Sequence, residues 1–154
     1  MTRFVEGSAN ADGLHVGVAA ARWNQAITDK LLDGAVRRLE ALGAAEVTVV
    51  RVPGALELPI AARRLAELGC DAVVVVGAVV KGETDHYDIV VRESARGISL
   101  VALETGVPVA NAILAVHDYT QAVERAGVGE SNKGSEAADA AVWTANALAG
   151  LDGS

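Results

Sequence analysis

Residues 72–88 read Ala72-Val-Val-Val-Val-Gly-Ala-Val-Val80 followed by Lys81-Gly-Glu-Thr-Asp-His-Tyr-Asp88. Nine apolar residues in a row, most of them β-branched, do not alternate with polar ones. Such a run describes a strand covered on both faces, as in a parallel sheet. It ends in a glycine, two candidate N-caps (Thr84 and Asp85) and His86 at the start of the next helical pattern. Open parallel sheets bind ligands in the crevice at the carboxyl ends of their strands. A helix N-terminus there offers free N–H groups to an anion, and an imidazole beside it exchanges protons near neutral pH. The stretch points to an active site for a phosphorylated or otherwise anionic substrate.

Outward from this junction, apolar strands alternate with helical patterns along the whole chain. That order is the signature of a doubly wound α/β sheet, here with four strands. Strands are expected at residues 14–20, 47–52, 72–80 and 109–116. The first helix is expected over residues 24–42, where Ile27, Leu31, Ala35, Leu39 and Leu42 keep helical spacing and Gly43 ends it. Pro59 suits the first turn of a second helix whose inner face carries Leu58, Ala61, Leu65 and Leu68. A long helix follows over 85–104, a short one over 119–126 capped by Asp118, and an alanine-rich one over 136–148. A strand-like piece at residues 3–6 has no partner in this series, so it is expected to add to the sheet edge of another subunit. Residues 1–13 form an N-terminal arm on a single domain spanning 1–154.

At 154 residues the chain is long enough for one substantial core. Apolar residues make up 51% even without the 16 glycines, and mean hydropathy is +0.31. No apolar run is long enough to span a bilayer, so the excess is expected to be buried against other copies of the chain. No basic segment precedes an apolar one at the N-terminus, and the single Cys70 forms no intrachain disulfide. Both point to the cytoplasm. Net charge is −7, the ten arginines are scattered and aromatics are 3%. Nucleic acid is excluded as the main partner, since it needs a concentrated basic face or a stacking platform. The three histidines lack metal-ligand spacing, so no metal site is expected.

Each strand exit carries a group with two readings. Trp23, beside Asn24, is either an interface residue or a surface for stacking a planar ring. Glu57, after Gly54, Ala55 and Leu56, either stabilises a first helical turn or meets a ligand. Ala78, Val79 and Val80 lead through Gly82, Glu83 and Thr84 to His86, whose place at a strand exit favours function over a surface role. Arg125 and Lys133 flank a glycine-containing turn, as solvated cations or as anion ligands. No glycine fingerprint follows the first strand, so dinucleotide and Walker-type sites are excluded. In a doubly wound sheet these loops converge on one edge.

Six segments resemble the lumazine synthase family, in its order: Trp23-Asn-Gln-Ala-Ile-Thr-Asp-Lys-Leu-Leu-Asp-Gly-Ala35, Val52-Pro-Gly-Ala-Leu-Glu-Leu-Pro59, Gly77-Ala-Val-Val-Lys-Gly-Glu-Thr-Asp-His-Tyr-Asp88, Gly106-Val-Pro-Val109, Gln121-Ala-Val-Glu-Arg-Ala-Gly127 and Asn132-Lys-Gly134. The resemblance implies a flavodoxin-like three-layer sandwich and a step of riboflavin biosynthesis. In that step 5-amino-6-(D-ribitylamino)uracil condenses with 3,4-dihydroxy-2-butanone 4-phosphate to give 6,7-dimethyl-8-ribityllumazine, phosphate and water, without a cofactor. It implies that Trp23 stacks on the pyrimidine, that Asn24 with Gly54, Ala55, Leu56 and Glu57 holds the ribityl side, and that Ala78, Val79 and Val80 present backbone groups to the uracil edge. Gly82, Glu83 and Thr84 would bind phosphate and His86 would transfer protons. Asn111, Arg125 (beside the leaving phosphate) and Lys133 would come from a neighbouring subunit.

The resemblance also implies homopentamers, and the short turn from Arg125 to Lys133 resembles that of members forming icosahedral 60-subunit shells. Riboflavin synthase is the implied pathway partner. Trp23 and Leu56 stand where the family usually has phenylalanine, Lys81 where arginine is frequent, and Asn111 where an aromatic is common. Trp23 keeps a stacking face and Lys81 keeps its charge but not the bidentate fork. The alternatives are a flavin- or lumazine-binding relative without turnover and a relative that mainly forms shells.

Overall fold

A computed structural model describes residues 1–127 and 131–153. The strands β1 (His15–Ala21), β2 (Glu46–Val52), β3 (Ala72–Val80) and β4 (Val109–Val116) form one parallel sheet in the order β2-β1-β3-β4. Helices α1 (Gln25–Ala41), α2 (Leu58–Glu67), α3 (His86–Thr105), α4 (Tyr119–Arg125) and α5 (Lys133–Leu151) cover it. The chain winds from β1 outward to β2, then crosses back to β3 on the other side of β1. The reversal leaves a crevice between the carboxyl ends of β1 and β3.

The period of two along the strands divides the core into two layers. Val16, Val18, Val74 and Val76 face Ile27, Leu31 and Leu39 of α1 and Ala138 and Val142 of α5. Ala19, Ala21, Val73 and Val75 face Leu58 and Leu65 of α2 and Ile98 and Val101 of α3. β3 is buried through Ala78, as its unbroken apolar sequence requires. Each such valine contributes roughly 1.5–3 kcal/mol through the surface it removes from water. The result is the three-layer α/β architecture of the flavodoxin-like class.

Several expectations shift for local reasons. Leu68 is exposed because α2 ends at Glu67, and Ala62 and Ala66 take the buried positions. α5 starts three residues ahead of the expected 136, at Lys133, where the Asn132 carboxamide oxygen accepts from the Ser135 N–H at 3.1 Å. Gly134 belongs to that first turn because a Cβ there would run into the Leu31 carbonyl of α1. Residues 3–6 form no strand within the single chain. The arm is tied to α5 instead: Asn146 Nδ2 donates to the carbonyls of Ser8 (2.9 Å) and Asn10 (2.7 Å), and Arg3 Nη2 donates to that of Gly150 (2.7 Å). Residues 128–130, in the turn between Arg125 and Lys133, lie outside the described residues. Burial, with Asp71 and Glu46 nearby, pushes the Cys70 thiol up from its ordinary value. It serves as a small apolar group at the entrance of β3.

The α2 and α3 side leaves Ile60, Leu68, Leu100 and Leu103 exposed, Leu103 at 82%. Among the described residues no helix is long and apolar enough to cross a membrane.

The contact of α1 with α5 gives a direct test. Gly134→Val is expected to lower unfolding free energy by about 1–3 kcal/mol through overpacking against the Leu31 carbonyl. Chemical denaturation checks it; an unchanged midpoint would show that α5 does not approach α1 at this glycine.

Candidate functional site

The first three strands deliver their exits to one place. After β1, the Arg22 N–H donates to the Val52 carbonyl (2.8 Å) and the Trp23 N–H to that of Pro53 (2.9 Å), tying the exit of β1 to that of β2. Asn24 ties it to β3, its Nδ2 donating to the Ala78 carbonyl at 2.8 Å. Between these ties lies a cavity of about 320 Å³ lined by Trp23, Asn24, Gly54, Ala55, Leu56, Glu57, Ala78, Val79, Val80 and His86. Ala21 and Val90 complete its wall. Sequence reasoning missed both. Val90 lies four residues after His86 on α3 and so shares its face, a spacing that offers the signal; Ala21 carries none beyond its place at the strand end.

The wall combines an open aromatic face with a buried carboxylate oxygen. Trp23 is 65% exposed, with its ring edge over Gly54: a Cβ at residue 54 would lie 2.5 Å from Trp23 Cε3 and 3.4 Å from Glu57 Oε2. Glycine is thus what allows the indole and the carboxylate to approach each other. Glu57 sits in a short 3₁₀ turn (Ala55–Glu57) before α2, and its Oε2 is buried without a hydrogen-bond partner. An unsatisfied buried carboxylate oxygen is costly, and a hydroxyl- or amine-bearing ligand in the cavity would relieve it.

His86 is the first residue of α3 and is exposed at the mouth. Asp85, at the N-cap, makes no side-chain cap, and Thr84 Oγ1 accepts weakly from the His86 N–H at 3.4 Å. The first-turn amides of a 20-residue helix thus stand beside the loop of Gly82, Glu83 and Thr84. These three lie next to the cavity without lining it. Asn111, Arg125 and Lys133 are also absent from its wall. Asn111 is exposed on the edge strand β4, Arg125 Nη1 donates to its own Gln121 carbonyl (3.1 Å), and Lys133 pairs with Glu136 (2.9 Å). A larger groove of about 1100 Å³ runs beside α1, away from the strand exits. Its arginines are already neutralised, Arg38 by Asp139 (2.7 Å) and Arg37 by Asp33 (2.9 Å). Among the described residues no group of side chains has the make-up of a metal site.

Residues 13–149 match the family model described as 6,7-dimethyl-8-ribityllumazine synthase. Proteins of that name are similar over nearly their full length. One from Desulfotalea psychrophila is 47% identical, covering 98% of this chain and 99% of its own. Another, from Kineococcus radiotolerans, is 50% identical over 92% of this chain and 89% of its own. A third, from Thermococcus kodakarensis, is 46% identical over 95% and 94%.

The approach of Trp23 to Gly54 is open to spectroscopy. In a Trp143→Phe background, where Trp23 is the sole indole, Gly54→Val is expected to push the ring off the cavity wall and shift its emission to longer wavelength. An emission spectrum that does not move would place the indole elsewhere.

Proposed function

The chain belongs to the 6,7-dimethyl-8-ribityllumazine synthase family, and on that premise we propose how its residues divide the reaction. The enzyme condenses 5-amino-6-(D-ribitylamino)uracil with 3,4-dihydroxy-2-butanone 4-phosphate, releasing phosphate and water, in riboflavin biosynthesis. The observation that carries the reading is the convergence of Trp23, the unpartnered Glu57 oxygen and His86 on one cavity at the switch point of the sheet. Trp23 offers its face to the pyrimidine, and Glu57 accepts from the ribityl hydroxyls. The phosphate of the second substrate lies against Gly82, Glu83 and Thr84, beside the N-terminus of α3. Amine attack on the ketone, loss of water and ring closure all move protons near neutral pH, which suits His86. The departing phosphate gathers charge beside a helix N-terminus, and Arg125 neutralises it. Holding both substrates in one crevice supplies much of the rate.

Arg125, Lys133 and Asn111 reach this crevice from a second copy of the chain. Their distance from the wall within one chain supports that reading. So do the exposed Ile60, Leu68, Leu100 and Leu103, an apolar surface suited to self-association. A ring of five copies, working in the cytoplasm, is the assembly proposed, with a 60-subunit shell as its larger form and riboflavin synthase as the consumer of its product. No observation favours the non-catalytic alternatives.

His86→Ala is expected to lower kcat about a hundredfold, the ordinary scale of general acid–base catalysis. Arg125→Ala is expected to raise KM for the phosphorylated substrate roughly tenfold or more, leaving KM for the uracil nearly unchanged. Steady-state kinetics with each substrate varied decides; wild-type values in both variants would refute the assignment. A site shared between copies makes a sharper prediction. When the two variants are unfolded together, reassembled and assayed with the phosphorylated substrate well below its KM, random assortment around a head-to-tail ring restores roughly a quarter of the sites. Activity that stays at the level of the separate variants would place His86 and Arg125 in one copy's site.

A further inference from the structure

The ladder between β1 and β3 ends at Ala20 and Val76, whereas that between β3 and β4 continues to Val80 and Val116. Over its last residues β3 keeps one strand neighbour. Backbone groups along a strand turn alternately to its two sides, and the Lys81 N–H donates to the Val116 carbonyl at 2.9 Å on the β4 side. Ala78 and Val80 therefore turn theirs to the side that β1 has left, which is the cavity. Ala78 is buried, at 7% exposure, so its backbone carbonyl needs a partner from elsewhere.

Asn24 is that partner for Ala78. Its Nδ2 reaches the Ala78 carbonyl at 2.8 Å, and its side chain makes no cap to α1 although it stands at the N-cap. To reach, the residue holds φ 61° and ψ 45°, and among the described residues it is the only non-glycine with positive φ. Asparagine enters this left-handed region more readily than most side-chain-bearing residues, and the bond to Ala78 holds it there.

We propose that Asn24 is a positioning residue: its carboxamide replaces the missing β1 rung at Ala78 and so sets the orientation in which the Val80 backbone meets the edge of the heterocyclic substrate. It acts through the end of β3 rather than by holding the ribityl chain. The inference rests on the reading that this cavity takes the pyrimidine.

Two variants of the assembled protein test it. Asn24→Gly adopts the left-handed backbone freely and lacks the amide; Asn24→Asp keeps the shape but sets an oxygen against the Ala78 carbonyl. Both are expected to raise KM for the ribitylaminouracil about five- to tenfold, the scale of one hydrogen bond, with KM for the butanone phosphate within about twofold. The inhibition constant of 5,6-diaminouracil, which has no ribityl chain, should rise by the same factor. Amide hydrogen exchange in residues 78–80 should be faster than in the wild type. If the diaminouracil constant does not change, Asn24 contacts the ribityl chain directly and the inference fails. It fails equally if exchange in 78–80 is unchanged or if both KM values rise together. Should the wild type form no lumazine, the functional reading is what falls, and hydrogen exchange still decides the link from Asn24 to Ala78.

Discussion

A strand buried on both faces satisfies its backbone only through its ladders, and β3 outruns one of them. Through Val76 it is paired on both sides; beyond that it keeps β4 alone. The same apolar run that fills the centre of the core thus ends with polar backbone groups facing a crevice that opens to the surface beside Trp23 and His86. Core and site are two stretches of one strand, separated by the point where β1 turns away into Arg22, Trp23 and Asn24.

Charge is organised locally rather than over the whole molecule. A net charge of −7 repels anions at long range. An anion at the strand exits meets short-range features instead, such as the start of α3, where Asp85 makes no side-chain cap and Thr84 Oγ1 accepts only weakly from the His86 N–H. Within one chain the two arginines of the larger groove are bound to carboxylates. Lys133 is likewise paired with Glu136, the two side chains being 44% and 62% exposed. Such an exposed pair is weak, on the order of 0–1 kcal/mol, and opens at small cost.

The apolar excess of the sequence finds its place in the same scheme. Leu103 and Ile60 stay exposed, and the N-terminal arm is held on α5 by side-chain bonds from Arg3 and Asn146 and by the approach of Gly7 to Trp143. A protomer of this kind is complete as a core and incomplete as a surface.

Much of this was legible in the residues themselves. The unbroken valines of β3 determined a doubly covered parallel strand, because alternation is lost only when both faces are apolar. The histidine after Gly-Glu-Thr-Asp marked the mouth of the site, because caps and glycine stop a strand and start a helix. Element boundaries moved by one to three residues. The early start of α5 was hidden, because Gly134 reads as a turn until α1 is laid against it. Sequence could say that Trp23, Glu57 and His86 sit at strand ends. It could not say that Glu57 leaves a buried oxygen unpaired, or that Asn24 spends its amide on Ala78. Those facts depend on contacts between residues far apart in the chain, and only packing three strand exits around one crevice decides which polar groups find partners and which are left for a ligand.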